Sequence, residues 1–72
     1  MGRIAALGDR HRIQLLALAG VESYPVVTED EIVAAWRDLP ADVTVLVLTA
    51  DSAAVLRDRV AERRDLLVTV LP

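Results

Sequence analysis

The residues best placed to do chemistry in this 72-residue chain are Gly8-Asp9-Arg10 with His11 beside them, Asp51, and the run Arg57, Arg59, Arg63 and Arg64. Gly8-Asp9 ends a short apolar run, and open α/β folds bind ligands at the carboxyl ends of such strands. A phosphate there needs several glycines and free helix N–H groups. This turn offers one glycine and an acid, so Asp9 reads as the cap of the helix that follows. No GxGxxG pattern follows the strand, which removes a dinucleotide site. Catalysis through His11 needs a nucleophile or an orienting acid at its side. Only Asp9 is near, and the first turn of a helix leaves both in solvent. The arginine run is offset by Asp58, Glu62 and Asp65, with Arg59/Arg63 and Asp58/Glu62 each four apart, the pattern of a solvated face. No carboxylate pair, metal-ligand spacing or P-loop is present. The chain therefore reads as no enzyme, with no catalytic residue, no cofactor and no metal.

Acids after a first strand and at the end of a central one also occur in phospho-acceptor receiver domains, and Asp9 and Asp51 mimic that placement. Receivers carry an acidic pair after the first strand, a fifth strand and a lysine after it. This chain has no lysine and reads as too short for a fifth strand.

The elements that position these residues alternate from end to end. Ile4–Leu7 is a strand stopped by Gly8. His11 to Ala19 reads as a helix, capped by Asp9 and closed by Gly20. Ser23–Val27 is a weaker strand whose Pro25 lacks a donor, which suits a sheet edge. Thr28-Glu29-Asp30-Glu31 spells a capping box, and the helix it opens runs to about Leu39, before Pro40. Ile32, Ala35, Trp36 and Leu39 are its apolar side, which makes Trp36 a core residue. Val43–Thr49 is continuous and β-branched, a buried central parallel strand. Asp51 or Ser52 caps a third helix reaching about Arg64, with Ala53, Leu56 and Val60 inward. Leu66–Leu71 is the last strand.

Strand-helix alternation with short connections implies parallel strands and right-handed crossovers. The fold class is therefore α/β, a three-layer βαβαβαβ domain with a four-stranded parallel sheet of order 2-1-3-4, Rossmann-like and of receiver or flavodoxin-like topology. That order places the first helix on one face and the other two on the opposite face. One face is left partly bare beside strand four, and the first helix is apolar nearly all round. Both are expected to meet a partner.

Composition agrees. A single small domain of residues 1–72 has a thin core, and with no cysteine and one histidine neither a disulfide nor a zinc site can brace it. The hydrophobic share of 54% exceeds what so thin a core hides, unless the sheet is buried on both faces. A net charge of −3 argues against nucleic acid. No apolar run approaches a membrane span, and no signal peptide is evident, so a cytoplasmic location is expected.

Over its whole length the chain resembles the N-terminal globular part of the F subunit of V-type and A/V-type rotary ATPases. The motif is a strand, Gly8-Asp9, then a helix ending in Leu18-Ala19-Gly20-Val21; Thr49-Ala50 follows the central strand, and Pro72 follows the last. Where the family commonly has Gly-Phe-Arg before Leu-Ala-Gly, this chain has Leu15-Leu16-Ala17. Family members continue into a C-terminal helix after the fourth strand, so a truncated or short form is expected. The resemblance implies a non-catalytic central-stalk subunit of a proton- or sodium-translocating ATPase, peripheral to the membrane. Its implied partners are the coiled-coil rotor subunit and the catalytic head. The implied contacts are Gly8, Asp9, Arg10, Leu16, Leu18 and Ala19. The alternatives are a receiver-like regulatory module that binds protein without phospho-acceptor chemistry and, further off, a small-ligand site near Gly8 and Thr49.

Overall fold

The computed structural model of the chain describes residues 2–72. Seven elements and one 3-10 segment follow in order. They are β1 (Arg3–Gly8), α1 (Arg10–Ile13) continued by 3-10 turns over Gln14–Ala19, β2 (Glu22–Pro25), α2 (Glu29–Arg37), β3 (Val43–Leu48), α3 (Ala50–Ala61) and β4 (Leu67–Val70). All strand pairs are parallel and the sheet order is β2-β1-β3-β4, as expected.

Side-chain alternation along the strands sorts the sheet into two faces. Ala5, Leu7, Leu46 and Leu48 join Ile32 of α2 and Leu56 of α3 in one buried cluster. Ala6 and Ile13 are equally buried but lie outside that cluster, under the first helical connection on the other face. The alanines of β1 allow helices to approach the central strand closely from both sides.

Local signals set the element ends. Thr28 Oγ1 accepts from the Glu31 N–H at 3.1 Å, while Glu31 Oε1 accepts from the N–H groups of Thr28 and Val27 at 3.0 and 2.8 Å. These bonds, that of the Thr28 N–H first, hold the Glu31 carboxyl below the usual range. Asp9 Oδ2 accepts from the Arg12 N–H at 3.1 Å, and Gly20 closes the segment at φ 85°. β2 is shorter than the sequence suggests, although the Val26 N–H still reaches the Gly8 carbonyl at 2.9 Å. α2 ends at Arg37 rather than Leu39, because the residue before Pro40 is pushed out of helical geometry.

Two expectations are corrected. The first helix is not α-helical to Ala19: α geometry ends at Ile13 and six residues wind as 3-10. Of those six only Leu16 is even half-buried. Most helical stability in proteins comes from a packed face, and this stretch lacks one. The third helix is entered not through Asp51 or Ser52 but at Thr49, whose carbonyl accepts from Ala53 N–H at 2.9 Å. The Thr49 hydroxyl does not cap; it donates to Ser52 Oγ at 3.2 Å, and both residues are buried. The helix ends at Ala61, and Arg63 turns back onto Asp65 through two bonds of 2.9 and 3.1 Å.

Gly8 ends β1 against the side chain of Thr49, the residue that follows β3. A Cβ on Gly8 would overlap the Thr49 side chain, which is itself buried. The variant G8A is expected to lose about 1–3 kcal/mol in urea unfolding through overpacking. Adding T49A should recover part of that loss, a non-additivity that places the cause in this contact.

Candidate functional site

The carboxyl edge of the sheet carries a cavity of about 330 Å³ whose lining includes Asp9, Arg12, Ile32, Thr49, Asp51 and Ser52. This is the edge where β1 and β3 send their helices to opposite faces, the usual ligand position in such folds. Its polar groups are already engaged. Asp9 caps α1 and lies 3.6 Å from the Arg12 guanidinium. Thr49 and Ser52 satisfy each other. Asp51, exposed in the first turn of α3, adds a second negative charge at the mouth. Two carboxylates beside the helix starts repel a phosphate. Among the described residues no group of His, Asp or Glu is arranged to hold a metal ion. His11 is exposed on the short α1. Trp36 packs on the core cluster, with the Arg63 guanidinium 6.0 Å from its ring centroid.

The opposite, amino-terminal edge holds a polar cluster that no local sequence signal announces. Arg3 donates through Nε to Asp42 at 2.7 Å and through Nη1 to Glu22 at 2.6 Å; Tyr24 OH donates to Glu22 at 3.0 Å. The Arg3 bonds, with a smaller share from Tyr24 at Glu22, hold the Asp42 and Glu22 carboxyls below the usual range. Burial, then the bond to Glu22, pushes the Tyr24 hydroxyl up. The cluster ties the start of β1 to edge strand β2 and to the turn before β3. These are exposed ion pairs, so their role is registration of strand ends rather than a large stabilisation.

The apolar surface lies elsewhere. Strand register places Ile4, Val45, Val47 and Leu67 side by side on the face opposite α2 and α3. The first connection covers this face only over β1 and β2. Ile4 is 43% and Leu67 66% exposed, and Val45 and Val47 are half-buried. The 3-10 segment, packed on β2, exposes Leu15 at 70% and Leu18 at 86%. Of the contacts expected from the sequence, Arg10, Leu18 and Ala19 are exposed, Asp9 and Leu16 are half-buried, and Gly8 is buried. The 3-10 segment with Leu18 and Ala19 packs on β2, and the same sheet exposes a strip of Ile4, Val45 and Val47, which the motifs did not single out. Period-two alternation in β1 and β3 is the signal that could have found them.

A half-covered parallel sheet with its carboxyl edge engaged and one apolar face open defines a small α/β domain. The chain belongs to the family of the ATP synthase (F/14-kDa) subunit, whose model matches residues 4–72. Its fold is similar to that of the F subunit of the V-type ATP synthase from Archaeoglobus fulgidus, known from a crystal structure, with a TM-score of 0.83 and 24% identity. That match covers 99% of this chain and 98% of the other. No curated protein matches the chain significantly. Among the described residues no helix is long and apolar enough to cross a membrane.

The amino-edge cluster gives a pH dependence with a definite sign. Both carboxyls are depressed in the folded state, so their contribution is present above their unfolded pKa values and lost as pH falls through the folded ones. The stability difference between wild type and R3Q should be constant from about pH 8 to about pH 5, then shrink below about pH 4. Urea unfolding across that range, followed by Trp36 fluorescence, measures it.

Proposed function

We propose that the chain is a non-catalytic subunit of the central stalk of a V/A-type ion-translocating ATPase. It binds the coiled-coil rotor subunit through its uncovered apolar face and tunes coupling by contact, without chemistry of its own. The observation that carries this reading is the open strip of Ile4, Val45, Val47 and Leu67, to which the 3-10 segment adds exposed Leu15 and Leu18. Contiguous exposed apolar side chains on a small chain mark an interaction surface. Family membership supplies the complex.

In this reading Leu18 and Ala19 lead the contact and Leu16 supports it from beneath, with the sheet strip as its floor. Asp9 and Arg10 form a polar rim at the carboxyl edge. Gly8, being buried, acts only by letting the turn approach Thr49. The chain itself stays at the membrane's cytoplasmic side as part of the assembly and binds neither nucleotide nor nucleic acid.

Size-exclusion co-elution with the coiled-coil stalk subunit of the same organism tests the reading. A stable one-to-one complex is expected, and a folded chain that elutes alone counts against it. Replacing an apolar contact at a buried interface costs about 1.5–3 kcal/mol, so L18D and L67D should each weaken the complex by about 10- to 100-fold. D51N, at the cavity mouth on the other side of the sheet's carboxyl edge, should leave the affinity unchanged in the same titration.

A further inference from the structure

The two edges of the sheet are built differently. β2 ends in Pro25, carries Glu22 in the ion cluster, and so guards its edge. β4, Leu67-Val68-Thr69-Val70, has no charge and no proline, and Leu67 and Val70 are 66% and 49% exposed. The Leu71 N–H donates inward to Leu48 at 2.8 Å. By the alternation of a strand, the N–H and C=O groups of Val68 and Val70 therefore point outward, and among the described residues none has a partner.

We infer that this edge pairs with β4 of a second copy, antiparallel about a two-fold axis through Thr69, joining two sheets into one of eight strands. The pleat narrows the register. Leu67 and Thr69 lie on the uncovered face with Val45 and Val47, while Val68 and Val70 lie on the α3 face with Leu46 and Leu48. A two-fold perpendicular to the sheet keeps like faces together, so paired residues must share a face. Centring on Thr69 sets Val68 of one copy opposite Val70 of the other, twice, and uses every outward backbone group of β4. These become hydrogen-bonded pairs, and Thr69 faces Thr69 in the closer non-hydrogen-bonded position, with the two Cα atoms about 4.5 Å apart. β-branched residues and paired threonines favour such cross-strand contacts. No charge on β4 opposes another. Centring on Leu67 would instead bring Asp65 against Thr69. Nor do helices obstruct the approach: α3 touches β1, β3 and β4. The two copies of α3 then lie about three strand spacings, or about 14 Å, apart, beyond the 8–10 Å of packed helices.

This pairing is independent of the stalk assignment, because it uses the strand edge and not the face proposed for the rotor subunit. It is tested on the full chain alone. Sedimentation of the wild type over a wide concentration range should show one chain going over to two. V70P removes an outward N–H that the internal ladder does not use, as an edge proline does, and should be monomeric with an unchanged circular dichroism spectrum. The chain has no cysteine, so T69C places two thiols within disulfide range at the axis and should oxidise to a covalent dimer. L67C, equally exposed but four residues out of register with its copy, should crosslink at least tenfold more slowly. A wild type that stays monomeric throughout overturns the inference. So does a dimer that survives V70P, or T69C that crosslinks no faster than L67C; the cysteine pair also decides the matter should V70P fail to fold.

Discussion

A four-stranded parallel sheet has two faces to cover and only three connections with which to cover them. Each right-handed crossover delivers one helix, and the order β2-β1-β3-β4 sends the first to one face and the next two to the other. The sheet is about 14 Å across between its outer strands, and a helix with its side chains is about 10–12 Å wide. Two helices cover a face and one does not. The burial pattern follows directly. Under α2 and α3, Ala5, Leu7, Leu46 and Leu48 are sealed, whereas across the sheet Ala6 and Ile13 are the side chains so buried among the described residues.

The same constraint explains the shape of the first connection. Its residues are apolar on every side, but a single sheet edge can take only one side. Ile13 and, in part, Leu16 use that side. Leu15 and Leu18 are left exposed, and the helix has no second packed face to hold α geometry against the narrower 3-10 winding. A partner lying along β3 and β4 would meet the strip of Ile4, Val45, Val47 and Leu67. Side chains that add little to the isolated fold would then contribute on association.

What could be read from the sequence was what is decided within one turn or one strand. Thr28 and Glu31 are three residues apart and find each other in any helix that starts there. Pro25 fixed an edge, and the unbroken Val43–Leu48 run fixed a centre. The hidden parts depend on distant residues or on competition between equal local candidates. Arg3 meets Glu22 and Asp42 across 19 and 39 residues, and only strand pairing brings them together. Thr49, Asp51 and Ser52 are all cap-forming types in close succession. The choice of Thr49 goes with its burial beside Ser52 rather than with its propensity. Gly8 read as a turn residue and a surface contact; with β1 and β3 side by side it is buried against the Thr49 side chain. The uncovered apolar face was legible in outline, from topology, but its members Ile4, Val45 and Val47 were not.

The carboxyl edge bears on why contact rather than chemistry is the better reading. Folds of this topology act on ligands where helix starts present free N–H groups and positive dipole ends to an anion. Here each such end is dealt with internally. Asp9 sits on α1 and pairs with Arg12, Glu31 closes the capping box of α2, and Asp51 places its charge in the first turn of α3. A phosphate entering the carboxyl-edge cavity would meet the Asp9 and Asp51 carboxylates before it met an amide. The surface that remains without a partner is apolar and lies on a face and an edge of the sheet. Such surface gains by being removed from water, and a second protein surface removes it without any reacting group.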